Sequence, residues 1–373
     1  MTPRPTPSPG AHAITYETAG VDTEAGDRAV ELMREAVSAT HSGNVIGGFG
    51  GFAGLWDATA LTAYRKPYLA TSTDGVGTKV AIAQAMDIHD TIGFDLVGMV
   101  VDDIVVVGAT PLFMTDYIAC GKVVPERIAD IVRGVAEACR IAGTALVGGE
   151  TAEHPGLLGE EEYDIAGAVT GVVEADDMLG PERVRAGDVL VGLGASGLHS
   201  NGYSLVRRVI SHAGWQLERH VPEFGRTLGE ELLEPTTVYA AACLDLAAGG
   251  DVHAYTHVTG GGLAANLARV IPAGLTAIVR RNSWTVPPVF STIQQLGSVP
   301  WADLEATLNL GVGMVAVVPP AAAARVQARA QELGLAAWEL GVLTGDAPRG
   351  TVVSGTKGVK AGAVQLVGEY RLT

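Results

Sequence analysis

The sequence has few cysteines and no long uninterrupted apolar run. Its three cysteines form no C-x-x-C pair and lie far apart, at Cys120, Cys139 and Cys243. The sequence therefore predicts neither a disulfide framework nor a zinc site, and it fits a reducing, cytoplasmic location. The most apolar stretch, 94–113, carries Asp102 and Asp103 near its middle, where each would cost about 3 kcal/mol in a bilayer. We expect no membrane partner.

Positive charge is also scarce. The 373 residues include 25 Lys and Arg against 41 Asp and Glu, a net charge of -16. Such a chain repels the phosphate backbone of nucleic acids, so we expect no nucleic-acid partner. A phosphate-bearing ligand would need divalent cations or helix N-termini to hold it.

Strand and helix patterns alternate along the chain, which is typical of an α/β fold, and the length suffices for two cores. A polar stretch with Pro and Gly and no apolar periodicity, 175–187, separates the two halves. We predict a disordered Pro-rich tail at 1–14 and a first domain at 15–174. A linker at 175–187 then leads to a second domain at 188–345 and an extension at 346–373. The N-terminus has no apolar run typical of a secretory signal.

Hydrophobic periodicity predicts the elements of each domain. The first domain has predicted strands at 67–73, 111–120, 144–149 and 163–174, and helices at 90–108 and 125–142. The second has predicted strands at 189–193, 275–281, 311–318 and 336–343, and helices from Ser200, at 235–248, after Gly262 and at 320–333. The segment 363–372 is a candidate last strand.

Gly192, Gly194 and Gly197 complete a G-x-G-x-x-G pattern after a predicted strand. A dinucleotide fold also needs a second parallel strand carrying an acidic residue about 20 positions later. The following GWQLERHVPEFG is no buried strand, so a plain strand-to-helix turn is the better interpretation. That turn, with His199, Ser200 and Asn201, is a candidate site for an anion or polar ligand.

Three further glycine-rich stretches are candidate ligand loops. GGFGG at 47–51 is a mobile lid or a flexible linker, and HVTGGGL at 257–263 is an anion site or a tight helix start. TSTDGVGTK at 71–79 lacks Walker A spacing, but Asp74 at a strand end suits magnesium, with an Asx-turn as the alternative.

Carboxylates in the apolar helix 90–108 need partners. Asp95 and Asp102 are seven residues apart and share a face, whereas Asp103 points about 100° away. Buried carboxylates are costly unless they are paired or bound to metal, so a functional role is favoured. Asp116 and Glu150 at strand ends could join them at one edge of the first domain.

Taken together, these segments resemble the phosphoribosylformylglycinamidine cyclo-ligases, also called aminoimidazole ribonucleotide synthetases. The resemblance covers about 15–345 and is carried by TYETAGVDTEAGD, GGFGGF, STDGVGTK, DTIGFDLVGMVVDDIVVVGATPLFMTDYIACGK, LVGGETAEHPG, YDIAGAVTGVVE, SGLHSNGYSLVR, HVTGGGL and NLGVGM. It implies a homodimer whose first domains join their sheets across a two-fold axis, with nucleotide bound near that interface. It also implies a second domain with a mixed sheet and helices.

The resemblance implies a reaction that uses ATP and Mg2+ to close an imidazole ring on formylglycinamidine ribonucleotide. Matched by motif, it implies that Asp74 and Asp103 bind magnesium and that Asp103, Lys79, Asp116 and His199 are catalytic. ATP-binding positions are implied at Gly47, Gly48, Gly50, Gly51, Asp74, Gly75, Gly77 and Thr78, with Lys79 near the phosphates. Substrate-binding positions are implied at Glu150, Thr151, Ser200, Asn201, Gly260, Gly261 and Gly262.

The chain departs from the family pattern at Asp102, His154 and Leu310, where the family usually has Asn, Met and Cys. Extra charge at Asp102 would tighten or crowd the metal site. Three alternatives remain open: another ATP-using member of the superfamily acting on selenide, thiamine phosphate or a carbamoyl group, a nicotinamide oxidoreductase using Gly192–Gly197, and a non-catalytic ligand-sensing dimer.

Overall fold

Two sheets, one in each half of the chain, organise the fold. The computed structural model describes residues 20–48, 50–348, 350–358 and 362–373. The predicted tail at 1–14 lies outside the described residues. Within the described part of the chain, no helix is both long and apolar enough to cross a membrane.

The first domain is a four-stranded sheet covered on one face by helices. Its elements are α1 (Thr23–Ser38), β1 (Val45–Ile46), β2 (Leu55–Trp56), β3 (Pro67–Gly75), α2 (Val80–Met86), α3 (Ile92–Val105), β4 (Thr110–Cys120), α4 (Pro125–Ala142), β5 (Ala145–Glu153) and β6 (Tyr163–Glu174). The strand order is β3-β6-β4-β5. Only β4 and β5 pair in parallel, because α4 provides the crossover that parallel strands require.

The second domain has a seven-stranded mixed sheet. Its elements are β7 (Val189–Gly194), α5 (Tyr203–Ala213), β8 (His220–Val221), β9 (Arg226–Thr227), α6 (Leu228–Leu232), α7 (Ala240–Ala248), β10 (Ala254–His257), α8 (Gly262–Leu267), β11 (Thr276–Arg280), β12 (Thr285–Val286), α9 (Pro288–Gly297), α10 (Trp301–Glu305), β13 (Val312–Val318), α11 (Ala323–Glu332), β14 (Ala337–Thr344), β15 (Val353–Ser354), β16 (Ala363–Val367) and β17 (Arg371–Leu372). The strand order is β10-β13-β7-β14-β11-β16-β15. The mixed α/β class is confirmed.

The topology contradicts the dinucleotide interpretation of Gly192–Gly197. Strand β7 lies between β13 and β14 and is antiparallel to both. Gly192 and Gly194 are inside this strand, where a Cβ atom at Gly192 would lie 3.2 Å from the indole of Trp338. These glycines therefore make room for a core side chain, and the parallel strand that a dinucleotide fold needs is absent beside β7.

The C-terminal segment belongs to the second domain. The candidate strand at 363–372 forms β16, which pairs in parallel with β11, and β17, which pairs with β12. The predicted extension 346–373 therefore contributes β15 and β16 to the sheet of the second domain. Two predicted helices begin later than expected, since α5 starts at Tyr203 rather than Ser200 and α7 at Ala240 rather than Pro235.

Candidate active site

Helix α3 carries a row of carboxylates to the boundary between the domains. Asp95 is fully buried, and its Oδ1 accepts hydrogen bonds from the backbone N–H and the hydroxyl of Thr236. Asp102 is fully buried two turns further along the same face, where both oxygens accept the backbone N–H of Tyr239 at 3.1 Å. The expectation that these carboxylates require partners is confirmed, and Thr236 and Tyr239 come from the second domain.

A cavity of about 280 Å³ lies between the domains at the middle of α3. Met99 lies on its wall, one turn from Asp95 and one turn from Asp103. The other lining residues are Asp74, Gly75, Val76, Gly77, Thr78, Ser200, Asn201, Gly202, Tyr203 and Ser204. We call it the interdomain cavity. It brings together the predicted ATP loop 74–78 and the predicted substrate residues Ser200 and Asn201.

Hydrogen bonds between the domains fix the walls of the interdomain cavity. The Ser200 hydroxyl donates to the Val76 carbonyl at 2.7 Å, and Asn201 Nδ2 lies 3.3 Å from Met99 Sδ. A Cβ atom at Gly260 would lie 3.2 Å from Asn201 Oδ1, so the glycine turn 260–262 adjoins the same wall. Exposed backbone beside amide and hydroxyl groups suits a polar or anionic ligand.

Asp103 lies beside this wall and is held by a histidine from the second domain. His257 Nδ1 is 2.9 Å from Asp103 Oδ1, and the Asp103 side chain is 40% exposed whereas that of His257 is 2% exposed. The carboxylate thus keeps access to solvent while a buried ring fixes its direction. His257 Nε2 is buried with no hydrogen-bond partner among the described residues.

A second cavity, of about 270 Å³, lies between α1 and β5. Its floor is apolar and includes Met33, Val37 and Leu146. Its rim holds Gly47, Gly48, Gly50 and Gly51 together with Asp116, Glu150 and Thr151. We call it the glycine-segment cavity. His41, which the sequence did not single out, supports it by hydrogen bonding through Nε2 to the Leu146 carbonyl at 2.9 Å.

Asp116 is the most perturbed carboxyl of the glycine-segment cavity. A Cβ atom at Gly149 would lie 1.8 Å from Asp116 Oδ1, so the side chain lies directly over a strand position that must be glycine. Its Oδ2 is buried and has no hydrogen-bond partner among the described residues. Burial raises the pKa of Asp116 to about 7, which suits a group that exchanges a proton near neutral pH.

The first sheet connects the two cavities. Asp74 pairs with Gly167, Gly167 pairs with Asp116, and Asp116 pairs with Gly149, so the four residues form one cross-strand row. Directly paired residues point to the same face, and strands lie about 4.8 Å apart, which places the Cα atoms of Asp74 and Asp116 about 10 Å apart. Of the carboxylates expected to converge, Asp116 and Glu150 line the glycine-segment cavity together, whereas Asp95 and Asp102 bond to Thr236 and Tyr239.

Three protein groups hold the Lys79 ammonium. Lys79 is fully buried, and Nζ donates to Asp95 Oδ1, the His199 carbonyl and the Glu234 carbonyl at 2.7, 3.0 and 2.7 Å. Burial lowers the pKa of Lys79 and Asp95 opposes this shift. Because three hydrogen bonds require three N–H donors, the ammonium form fits this environment. Lys79 Nζ thus has all three donors engaged within the protein, and its contact with ATP phosphates stays a prediction.

His199 is also buried. It has a left-handed backbone, with φ of 58°, which turns its ring into the core beside Tyr239. Its Nε2 accepts from the Ser196 N–H at 3.3 Å, and burial lowers its pKa to about 3. His199 is 1% exposed and does not line the cavity, so its catalytic role stays a prediction, while its neighbours Ser200 and Asn201 do line the wall.

The structure regroups the remaining predicted residues. The glycines of 47–51 share a cavity with Glu150 and Thr151, which were expected on the substrate side, rather than with 74–78. Asp74 and Asp103 both lie near the interdomain cavity. Among the described residues, no three His, Cys, Asp or Glu side chains are grouped so that they could hold a metal ion by themselves.

Solved structures share the fold at low sequence identity. Thiamine-monophosphate kinase from Stenotrophomonas maltophilia matches with a TM-score of 0.62 and 17% identity, over 89% of this chain and 95% of that chain. The hydrogenase maturation protein HypE from E. coli matches with a TM-score of 0.61 and 21% identity, over 88% and 94%. These likenesses establish the architecture only.

Sequence relatives are much closer. The phosphoribosylformylglycinamidine cyclo-ligase of Desulfitobacterium hafniense (strain DSM 10664 / DCB-2) is 48% identical over 331 residues, 89% of this chain and 97% of the relative. That of Geobacillus kaustophilus (strain HTA426) is 47% identical over 350 residues, 94% and 100%. Family models for the AIR synthase related protein match as N-terminal domain at 56–173 and C-terminal domain at 185–353. The chain belongs to the phosphoribosylformylglycinamidine cyclo-ligase family.

Proposed function

We propose that this protein catalyses the ATP-dependent cyclisation of formylglycinamidine ribonucleotide to aminoimidazole ribonucleotide, with release of ADP and phosphate, in purine biosynthesis. The observation that carries the proposal is 47–48% identity to cyclo-ligases over 97–100% of their length. The cavities support it, because they bring most of the motif residues together at two ligand-sized sites.

The reaction requires the protein to position the two substrates and to neutralise their charge. The formyl oxygen of the substrate attacks the γ-phosphorus of ATP, which makes that oxygen a good leaving group. The ribose-bearing nitrogen then attacks the formyl carbon, phosphate leaves and a proton is lost as the ring closes. Neither step needs a covalent bond to the protein, so oriented donors and carboxylates can supply most of the rate enhancement.

The glycine-segment cavity is the proposed site for the nucleoside part of ATP. Its apolar floor, with Met33 and Leu146, suits a purine ring, and the glycines at 47, 48, 50 and 51 allow a close approach of phosphates. Asp116 lies in one cross-strand row with Asp74 of the interdomain cavity, and its pKa, raised to about 7 by burial, suits it to take up, through bridging water, the proton lost on ring closure there. Glu150 and Thr151 on the rim are suited to orient the polar parts of the ligands.

The interdomain cavity is the proposed site for the substrate amidine and its phosphate. The Ser200 hydroxyl and the Asn201 amide are polar groups on its wall. The Gly260–Gly262 turn leads into α8 and brings its backbone to the same wall, since a Cβ atom at Gly260 would lie 3.2 Å from Asn201 Oδ1. Thr78, whose hydroxyl lies 3.3 Å from that of Ser204, closes the opposite side.

The residues present fit a magnesium ion held jointly with phosphate groups. Asp74 is exposed on the interdomain cavity, and Asp103 keeps 40% of its side chain exposed nearby. Magnesium usually takes one or two carboxylates together with substrate phosphates and water, so three protein ligands are not required. When bound, the ion would neutralise the negative charge that two phosphorylated ligands bring into an acidic protein.

A homodimer joined through the first domains is part of the proposal. Strand β3 is an edge strand of the first sheet, and Leu69 and Tyr68 on it are 64% and 42% exposed. An exposed edge strand with large apolar side chains is a site for pairing with another chain. An isologous contact between two such edges would give two-fold symmetry.

The direct test mixes the purified protein with Mg-ATP and formylglycinamidine ribonucleotide and follows ADP and aminoimidazole ribonucleotide together. We expect one ADP per imidazole and neither product when the substrate is omitted. ADP without imidazole would indicate a different acceptor, and no ADP at all would contradict the proposal.

In the same assay Asp116→Asn should lower kcat by about a hundredfold, because it removes a proton acceptor whose pKa lies near the pH of the reaction.

A further inference from the structure

The Lys79–Asp95 ion pair lies in the buried contact between the two domains. Both side chains have no exposed surface, and Nζ lies 2.7 Å from Oδ1. Lys79 and Asp95 belong to the first domain, whereas the other groups that they bind, the His199 and Glu234 carbonyls and Thr236, belong to the second. A Cβ atom at Gly98 would lie 2.7 Å from Thr236 Cγ2, so the domains are in close contact there.

Every donor on the Lys79 ammonium is used, and two of the three point to backbone carbonyls. A backbone carbonyl has no freedom to rotate away without moving its chain, so Nζ fixes the positions of residues 199 and 234. Asp95 in turn is fixed by Thr236, whose N–H and hydroxyl both donate to Oδ1. The pair therefore ties three backbone positions of the second domain to α3.

The turn held by Lys79 carries the polar wall of the cavity. His199 adopts a left-handed backbone that non-glycine residues rarely adopt, with φ of 58°. Such a conformation persists only where its surroundings over-determine it. Ser200 and Asn201 follow directly, and they make hydrogen bonds to Val76 and Met99 of the first domain. Holding the His199 carbonyl thus sets the direction of the next two side chains.

We propose that Lys79 and Asp95 are a positioning pair that holds the 199–201 turn against the first domain, and so sets substrate affinity at the interdomain cavity. The pair touches neither cavity and transfers no proton. This inference rests on the proposed cyclo-ligase function for its substrate. It differs from a phosphate-binding role for Lys79, which would instead set the affinity for ATP.

Two classes of variant separate positioning from bulk stability. Replacing one member, as in Lys79→Met or Asp95→Leu, leaves a buried charge without a partner and should lower Tm strongly. Replacing both with apolar residues removes both charges, and such replacements are often neutral for stability. The Lys79→Met/Asp95→Leu double variant should therefore lose less Tm than either single variant, although the His199 and Glu234 carbonyls lose their donor.

The measurement is KM for each substrate, together with the Kd of formylglycinamidine ribonucleotide in the absence of ATP. In the double variant we expect KM and Kd for that substrate to rise by about tenfold while KM for ATP stays within about threefold. Thr236→Val, a smaller change that removes only the hydroxyl donor, should shift both values in the same direction by about threefold. Lys122→Met, which removes an exposed lysine, is the matched control and should change neither.

Each other outcome overturns the inference. A folded double variant with wild-type KM and Kd would show that the pair does not set substrate affinity. A rise in KM for ATP with an unchanged Kd for formylglycinamidine ribonucleotide would restore the phosphate role for Lys79. If the double variant does not fold, Thr236→Val takes its place, and unchanged KM and Kd in that variant would overturn the inference. A wild-type protein that forms no imidazole would instead fail the proposed function, and the wild-type assay reveals this before any variant is compared.

Discussion

Asp102 is a buried carboxyl whose surroundings favour its neutral form. Burial raises its pKa from 3.8 to about 7, against opposing effects from His257 and from the Tyr239 N–H. Between these two values the folded protein keeps a proton that the unfolded chain has released. Stability therefore falls as the pH rises from about 4 to about 7 and stays reduced above that, by about 1.4 kcal/mol for each unit of pKa difference.

Asp102→Asn should remove this pH dependence. The Asn amide oxygen can still accept the Tyr239 N–H, but the side chain has no charge to bury. We expect Tm of the variant to exceed that of the wild type by several degrees at about pH 8 and by much less at about pH 5, because at the lower pH Asp102 is already neutral in the folded state. Differential scanning calorimetry without added metal measures both values. An equal Tm difference at the two pH values would show that Asp102 does not change its ionisation on folding.

The same residues show what a sequence can and cannot predict. Two carboxylates seven residues apart in an apolar helix indicate that partners must exist, and the structure confirms this for Asp95 and Asp102. The sequence could not identify the partners, because Thr236 lies 141 residues from Asp95 and Tyr239 lies 137 residues from Asp102 along the chain. The burial of Lys79 was missed for the same reason, since a lysine in a glycine-rich loop is more often solvated.

At the scale of elements, strongly periodic segments were predicted well and irregular ones were not. Helix α4 begins and ends at the predicted residues, Pro125 and Ala142, because Pro suits a first helical turn and Gly143 with φ of 72° ends it. Helix α5 begins at Tyr203 because Gly202 has φ of 78° and His199 has φ of 58°, a pair of turn conformations that residue type alone did not reveal.

The C-terminal segment is the element whose importance was most underestimated. Val364 of β16 is 1% exposed, and the Tyr370 hydroxyl donates to Glu305 Oε1 at 2.7 Å. Arg281 donates to both Glu305 and the Leu366 carbonyl. A Cβ atom at Gly262 would lie 1.8 Å from the Glu305 carbonyl oxygen. The segment thus supports α10, and through it the glycine turn beside the interdomain cavity.

A chain that ends after Gly345 should lose this support. It would expose the edge of β11, so we expect a large fall in Tm and aggregation on heating. Tyr370→Phe makes the milder change, since it removes one hydrogen bond worth about 1 kcal/mol and should lower Tm by about 2–4 °C. Thermal unfolding monitored by circular dichroism measures both. A truncated chain with wild-type Tm would show that β16 is dispensable.

At the scale of the whole molecule, the first sheet is covered unevenly. Helix α3 packs on β3 and β6 on one face. The other face carries Leu69, Thr71 and Thr73 of β3, all exposed, and Tyr117 of β4, 40% exposed. A surface of threonines and large apolar side chains along a sheet edge is costly to leave in water, even in a chain with a net charge of -16. A second copy of the chain would bury it.

Leu69→Asp should separate such a dimer, because it places two equivalent charges near the two-fold axis of an apolar contact, where they repel each other and lose hydration. Sedimentation velocity at about 0.15 M salt should then give the mass of one 38.4 kDa chain for the variant and twice that mass for the wild type. Leu333→Asp, a similar change at a partly exposed leucine of the second domain, should leave the dimer intact. A wild-type protein that sediments as a single chain, or a Leu69→Asp variant that stays dimeric, would contradict the assignment of β3 to the interface and leave the open face of the sheet to another partner.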